Sequence, residues 1–123
     1  MPSQFEAVAG SALGYSDDDT GSVTQATNKG TGVTLNKPSG VITMNDAALG
    51  AAGEVSFAVT NSKIAATDVV VAVHGSAGTA GSYLVGVTAI AAGSFEITVT
   101  NVSGGSLSEA IVINFVALKG ASS

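Results

Sequence analysis

Residues 51 to 61 read Ala51-Ala52-Gly53-Glu54-Val55-Ser56-Phe57-Ala58-Val59-Thr60-Asn61. Val55, Phe57 and Val59 are apolar at every second position, and Ser56, Ala58 and Thr60 between them are small or polar. A period of two is the pattern of a strand with one buried face. The stretch returns forty residues later as Ala91-Ala92-Gly93-Ser94-Phe95-Glu96-Ile97-Thr98-Val99-Thr100-Asn101, identical at six of eleven positions. Ile111, Ile113 and Phe115 carry the same alternation near the end of the chain. The two copies are expected to occupy corresponding places in two packed sheets, with Phe57, Phe95, Ile97, Ile113 and Phe115 in the core.

From Ser22 onward, β-branched runs of four to eight residues alternate with Gly, Asn, Ser and Pro, the punctuation of strands and tight turns. Eight strands follow: Ser22–Thr27, Gly32–Leu35, Val41–Met44, Glu54–Thr60, Asp68–His74, Tyr83–Ile90, Phe95–Asn101 and Ala110–Leu118. Only Asp46 to Gly50 has the makings of a helical turn. Without helices to cover a sheet, the strands must bury their faces against one another. The expected fold is all-β: an antiparallel, jelly-roll-like β-sandwich of about eight strands over residues 22–123. Residues 1–21, small and polar with no clear period, read as an extended N-terminal arm.

Charged residues make up only 11% of the chain and aromatics 5%, against 46% hydrophobic residues. A domain exposed on all sides normally carries about 25% charge, so part of this surface is expected to lie against another chain. The four cations are all lysines and the net charge is -5, which disfavours nucleic acid, since phosphate binding needs clustered cations. There is no cysteine and hence no disulfide framework or thiolate metal site. The first residues lack the basic and apolar regions of a signal peptide, and no apolar run approaches the roughly 20 residues of a membrane span. Neither export nor a membrane partner is expected.

Several residue patterns could in principle carry chemistry. His74 is the sole histidine, so a Ser-His-Asp arrangement would have to pass through it. Asp68, the nearest acid on its strand, is six residues and about 20 Å away, which leaves His74 as a strand-end or interface residue. Asp17-Asp18-Asp19-Thr20-Gly21 has the acids of a calcium loop, but its twelfth position is Asn28 where an EF-hand places Glu. Gly75, Gly78 and Gly81 lack the Gly-Lys-Ser/Thr of a phosphate loop. Asn101-Val102-Ser103 is formally a glycosylation sequon. Glu54 and Glu96 could pair as in glycoside hydrolysis, yet the chain has no Trp and two Tyr to stack a sugar. No enzymatic activity, cofactor or metal is expected.

Two strands are apolar on both faces. Val112 and Val116 flank Asn114 opposite Ile111, Ile113 and Phe115, and Val70 and Ala72 stand opposite Val69, Val71 and Val73. Such strands need cover on both sides, given either by a central position in the sandwich or by an interface between copies; in the second case Val70, Ala72, His74, Val112, Asn114 and Val116 are the expected interface residues. In the arm, Phe5 is the one large apolar anchor and Asp17, Asp18 and Asp19 the charged ones, so these four are the expected contacts to a larger partner.

The set Gly32-Val33-Thr34-Leu35-Asn36-Lys37, Ile42-Thr43-Met44, Phe57-Ala58-Val59-Thr60-Asn61-Ser62, Ala65-Ala66-Thr67-Asp68-Val69-Val70-Val71, Asn101-Val102-Ser103-Gly104-Gly105-Ser106-Leu107-Ser108-Glu109-Ala110 and Ile113-Asn114-Phe115 resembles a small β domain of tailed-bacteriophage virion proteins. The likeness covers residues 32 to 118 and leaves the arm outside. It implies a capsid decoration, or cement, protein: a homotrimer made in the bacterial cytoplasm and fixed to the major capsid protein on the outside of a phage head. The same likeness extends to trimerising or receptor-binding domains of tail fibres and spikes. A chain bounded by Met1 and Ser123 suits a decoration protein better than the tip of a long shaft.

Overall fold

The computed structural model describes residues 6–7 and 13–120. Strands β1 (Glu6–Ala7) and β2 (Leu13–Gly14) pair with each other, and a 3-10 turn covers Asp17–Asp19. Eight further strands follow: β3 (Thr20–Thr24), β4 (Val33–Thr34), β5 (Ser39–Thr43), β6 (Glu54–Thr60), β7 (Val69–Ser76), β8 (Tyr83–Ala91), β9 (Ser94–Asn101) and β10 (Val112–Leu118). They form two four-stranded sheets, one in the order β3-β5-β10-β7 and the other β4-β6-β9-β8. The all-β sandwich of about eight strands is therefore present. Its sheets are mixed rather than wholly antiparallel, because β3 runs parallel to β5 and β4 parallel to β6. Among the described residues no helix is long and apolar enough to cross a membrane.

The alternation read from the sequence sets the inner faces. Phe57, Val59, Phe95, Ile97 and Val99 from one sheet meet Ile42, Ile113, Phe115 and Ala117 from the other, all buried. The Phe95 and Phe115 rings touch across the sheets at 5.2 Å, tilted by 57°, an arrangement that adds to the area they bury. Gly40, opposite Phe115 in the ladder, has no room for a side chain. A Cβ there would lie 2.6 Å from Leu35 Cδ2 and 2.8 Å from the Gly21 carbonyl oxygen.

The internal repeat lands differently from the expectation. Its two copies are not placed in separate sheets; β6 and β9 lie side by side and antiparallel, with Phe57 opposite Ile97. Adjacent antiparallel copies are related by a quasi-two-fold axis through the sheet, and the ends of the repeat exchange equivalent bonds. Asn61 N donates to Gly93 O and Asn101 N to Gly53 O, both at 2.9 Å. Both asparagines are fully buried. The Asn101 amide donates to Leu49 O and Gly105 O, and its oxygen accepts from Ser103 N and Oγ. The sequon asparagine is thus internal structure, closed to modification in the folded chain. Asn61 donates to Lys37 O and accepts from Lys63 N.

Two boundaries shift. The helical turn lies at Asp17–Asp19 and not at Asp46 to Gly50, where Leu49 instead bridges to Leu107. The junction between arm and sandwich, set at residues 21 and 22 by the change in composition, falls inside β3, which begins at Thr20. Parallel pairing with β5 recruits Thr20 and Gly21 into the sheet, and Tyr15 Oη already donates to Ala117 O at 2.5 Å.

Candidate assembly surface

The two sheets present unlike outer faces. In the first, β10 and β7 pair so that Leu118 lies beside Val69, Val116 beside Val71 and Asn114 beside Val73. On the other side of β10, Asn114 pairs with Val41 and Val116 with Ser39, and Thr20, Ser22 and Thr24 of β3 complete the face. Apart from His74, none of these four strands contains an ionisable residue. Val69, Val71 and Val73 are 55%, 45% and 49% exposed. With Val116 and Leu118 they make an apolar ridge along the β7 side, and the β3 side is lined by hydroxyls.

The second sheet turns a polar face outward. Ser56 and Thr98 hydroxyls bond at 2.7 Å, Thr98 and Thr88 at 2.8 Å, and Thr88 Oγ1 donates to Glu96. Glu54 pairs with Thr100 and Glu96 with Ala58, four rungs apart, so about 14 Å separates the carboxylates. That exceeds the spacing of either glycosidase geometry.

Parity explains which predicted interface residues reach this surface. Val112, Asn114 and Val116 do. Val70 and Ala72 do not: each is 6% exposed and packed in the core, so the outward side of β7 is Val69, Val71 and Val73. Both parities of this strand are apolar, which is why the sequence alone favoured the wrong one. His74 is half-buried at the far end of β7, its ring edge-on to Tyr83 at 5.5 Å, with Nε2 donating to Ala77 O at 2.6 Å and Ser76 O at 3.1 Å. Phe5 lies outside the described residues. Asp17 and Asp18 are exposed in the 3-10 turn, where Asp18 O accepts from Lys37 Nζ. Among the described residues no three His, Asp or Glu are placed to hold a metal ion.

No protein-family model matches the chain, and no curated protein or solved structure does either.

Two acids that follow the repeats in sequence clamp opposite ends of the β7–β10 pair. Asp68, 5% exposed, accepts from Ala65 N, Gly120 N and Lys119 Nζ, the last at 2.7 Å. Burial pushes its carboxyl up, but these donors outweigh burial and hold it below its ordinary range. Glu109 accepts from Thr79 N, Thr79 Oγ1 and Tyr83 Oη. The bonds from Thr79 and then Tyr83 hold the Glu109 carboxyl low, and burial with the Glu109 bond pushes the Tyr83 hydroxyl up to about 12. Lys29, lowered by burial, ties the neighbouring loops by donating to Asn45 O and Glu109 O. An open cleft of about 280 Å³ beside this cluster is lined by His74, Gly75, Ala77 and Tyr83. Tyr83 Oη and His74 Nε2 are both already spent on holding its loop.

Proposed function

We propose that this chain is a structural virion protein, a homotrimeric decoration protein fixed to the major capsid protein on the outside of a bacteriophage head. The observation that carries the reading is the uncharged outer face of the β3-β5-β10-β7 sheet with its three half-exposed valines. Apolar surface that is contiguous and free of charge marks a contact with another protein. The sandwich also agrees with the fold implied by the resemblance over residues 32–118. A trimer that binds only assembled capsid subunits stabilises the shell by mass action. Asp17 and Asp18, exposed at the end where β3 and β5 begin, and the half-buried Asp19 beside them, together with Phe5, are the proposed capsid contacts.

The test uses capsids stripped of this protein and purified chain. Cosedimentation of a trimer with the capsids is expected, weakened by salt because exposed charges are screened. A variant lacking residues 1–14, cut ahead of Tyr15 to spare β3, should remain trimeric and bind capsids much less. Absence of capsid binding by the intact trimer would move the function to a fibre or spike. A monomer near 11.9 kDa at micromolar concentration would refute assembly itself.

A further inference from the structure

We infer that the connection from β7 to β8, Ala77 to Gly81, is an acid-released flap: ionised Glu109 holds it down over Ile111, and protonation of that carboxylate lets it lift while the sandwich stays folded. The device is contained in a single chain and does not depend on the trimeric reading above.

Little else holds the flap. Ser76 to Gly81 are all exposed, so no side chain of the segment is anchored in the core. Among the described residues, its hydrogen bonds to the rest of the chain go to two ionisable side chains. Glu109 accepts from Thr79 N at 3.0 Å and Thr79 Oγ1 at 2.8 Å, and His74 Nε2 donates to Ala77 O at 2.6 Å. Glu109 Oε1 also accepts from Tyr83 Oη at 2.8 Å, so one carboxylate ties the flap to the strand that follows it. Ala77 holds φ of 61°, a conformation that a Cβ opposes, and lifting relieves that strain.

What lies beneath is apolar. At Gly78 the backbone rests so closely that a Cβ would lie 2.7 Å from Ile111 Cγ2 and 3.1 Å from Glu109 Oε1. Ile111 is fully buried and Tyr83 is 8% exposed. Lifting the flap therefore uncovers Ile111 beside the open cleft at His74 and Tyr83.

One group acts as the trigger. An ionised carboxylate is acceptor-only and suits several donors at once, and its charge-assisted bonds are about twice as strong as neutral ones. The charged or titratable groups that face Glu109 are His74 from β7, Tyr83 from β8, and Lys29, whose Nζ donates to Glu109 O. A protonated His74 still carries its Nε2 hydrogen, Tyr83 keeps its phenolic proton throughout the acid range, and Lys29 stays an ammonium, so none of them releases the flap as pH falls. Asp46 acts on Lys29 and not on the flap. The bonds from Thr79 and Tyr83 keep the Glu109 carboxyl low. Its hold on the flap is therefore fully present above the unfolded value of about 4.3 and is lost as pH falls through the folded one.

Amide hydrogen exchange followed by NMR on the full chain, without denaturant, between pH 6 and 3 tests this. The protection factor of the Thr79 amide should fall about tenfold across that range as its charge-assisted bond becomes a neutral one. The Asn101 amide, bonded to Gly53 O at the end of β9, should keep its protection. Glu109→Gln preserves the shape of the side chain and cannot ionise, so Thr79 protection in E109Q should not change with pH. In E109A the Thr79 amide should exchange freely at every pH with Asn101 still protected. Constant protection of Thr79 in the wild-type chain overturns the flap, and so does loss of both amides together, which is unfolding of the whole domain. The same acid loss in E109Q moves the trigger to another group and overturns the role of Glu109, whether or not E109A folds.

Discussion

Replacing Asn101 with Ala tests the part of the fold that depends least on apolar burial. The side chain is fully buried and makes four hydrogen bonds, donating to Leu49 O at 2.8 Å and Gly105 O at 2.9 Å and accepting from Ser103 N and Oγ. At about 1 kcal/mol net per bond the loss is about 4 kcal/mol. Partial compensation is built in, because Leu49 O still accepts from Leu107 N and Gly105 O from Ser103 Oγ. The expected cost is therefore about 3 kcal/mol. Its quasi-symmetric mate supplies the internal control: Asn61, equally buried, makes two such bonds, and Asn61→Ala should cost about 2 kcal/mol. Urea unfolding followed by circular dichroism, with midpoints converted through a common slope, measures both. A cost below about 1 kcal/mol for Asn101→Ala, or a larger one for Asn61→Ala, refutes the assignment of these asparagines as the bonded ends of the repeat.

Acid should unfold the chain through its clamps. The Asp68 and Glu109 carboxyls are held below their unfolded values of about 3.9 and 4.3, so their contribution is fully present above those values and is lost as pH falls through the folded ones. Urea midpoints measured between pH 6 and 2 should drop in the acidic range, with a shallower drop in D68N and E109Q. Gly40→Ala should cost about 1–3 kcal/mol because the added methyl meets the Gly21 carbonyl, which cannot swing away. Gly75→Ala, whose methyl meets first the exposed Asn114 side chain, which can turn aside, should cost clearly less in the same urea experiment. Ala52 and Ala77 hold φ of 61°, where a Cβ is strained, so Ala52→Gly and Ala77→Gly should each raise stability by about 0.5–1 kcal/mol in thermal melts.

Strand positions were legible where one face alone is apolar. Glu54–Thr60 coincides with β6 end to end, and the buried set Phe57, Phe95, Ile97, Ile113 and Phe115 follows from alternation alone. Legibility failed where the local pattern carries no sign. In Val69 to Val73 both parities are apolar, and only the ladder with β10 decides that Val70 and Ala72 face inward. Similarly, the repeat announces two like strands without stating whether they face or adjoin, a matter of long-range pairing. Thr20 and Gly21 become strand through parallel contact with β5, not through propensity. The clamping roles of Asp68 and Glu109 had a faint signal, one acid following each repeat, but apart from Ala65 their donors come from segments 26 to 52 residues away.

The chain enters the first sheet beside Tyr15 and leaves it at Gly120, and both points lie at one end of the sandwich, where Tyr15 Oη bonds Ala117 O and Asp68 bonds Lys119 and Gly120 N. Tension drawn between entry and exit therefore meets these few side-chain bonds first and opens the sandwich from that end, one rung at a time. A load applied across the outer face is shared by every rung of the β5–β10–β7 ladder at once. By this geometry the domain should yield more readily to a pull on its two strand ends than to a load spread across its strands.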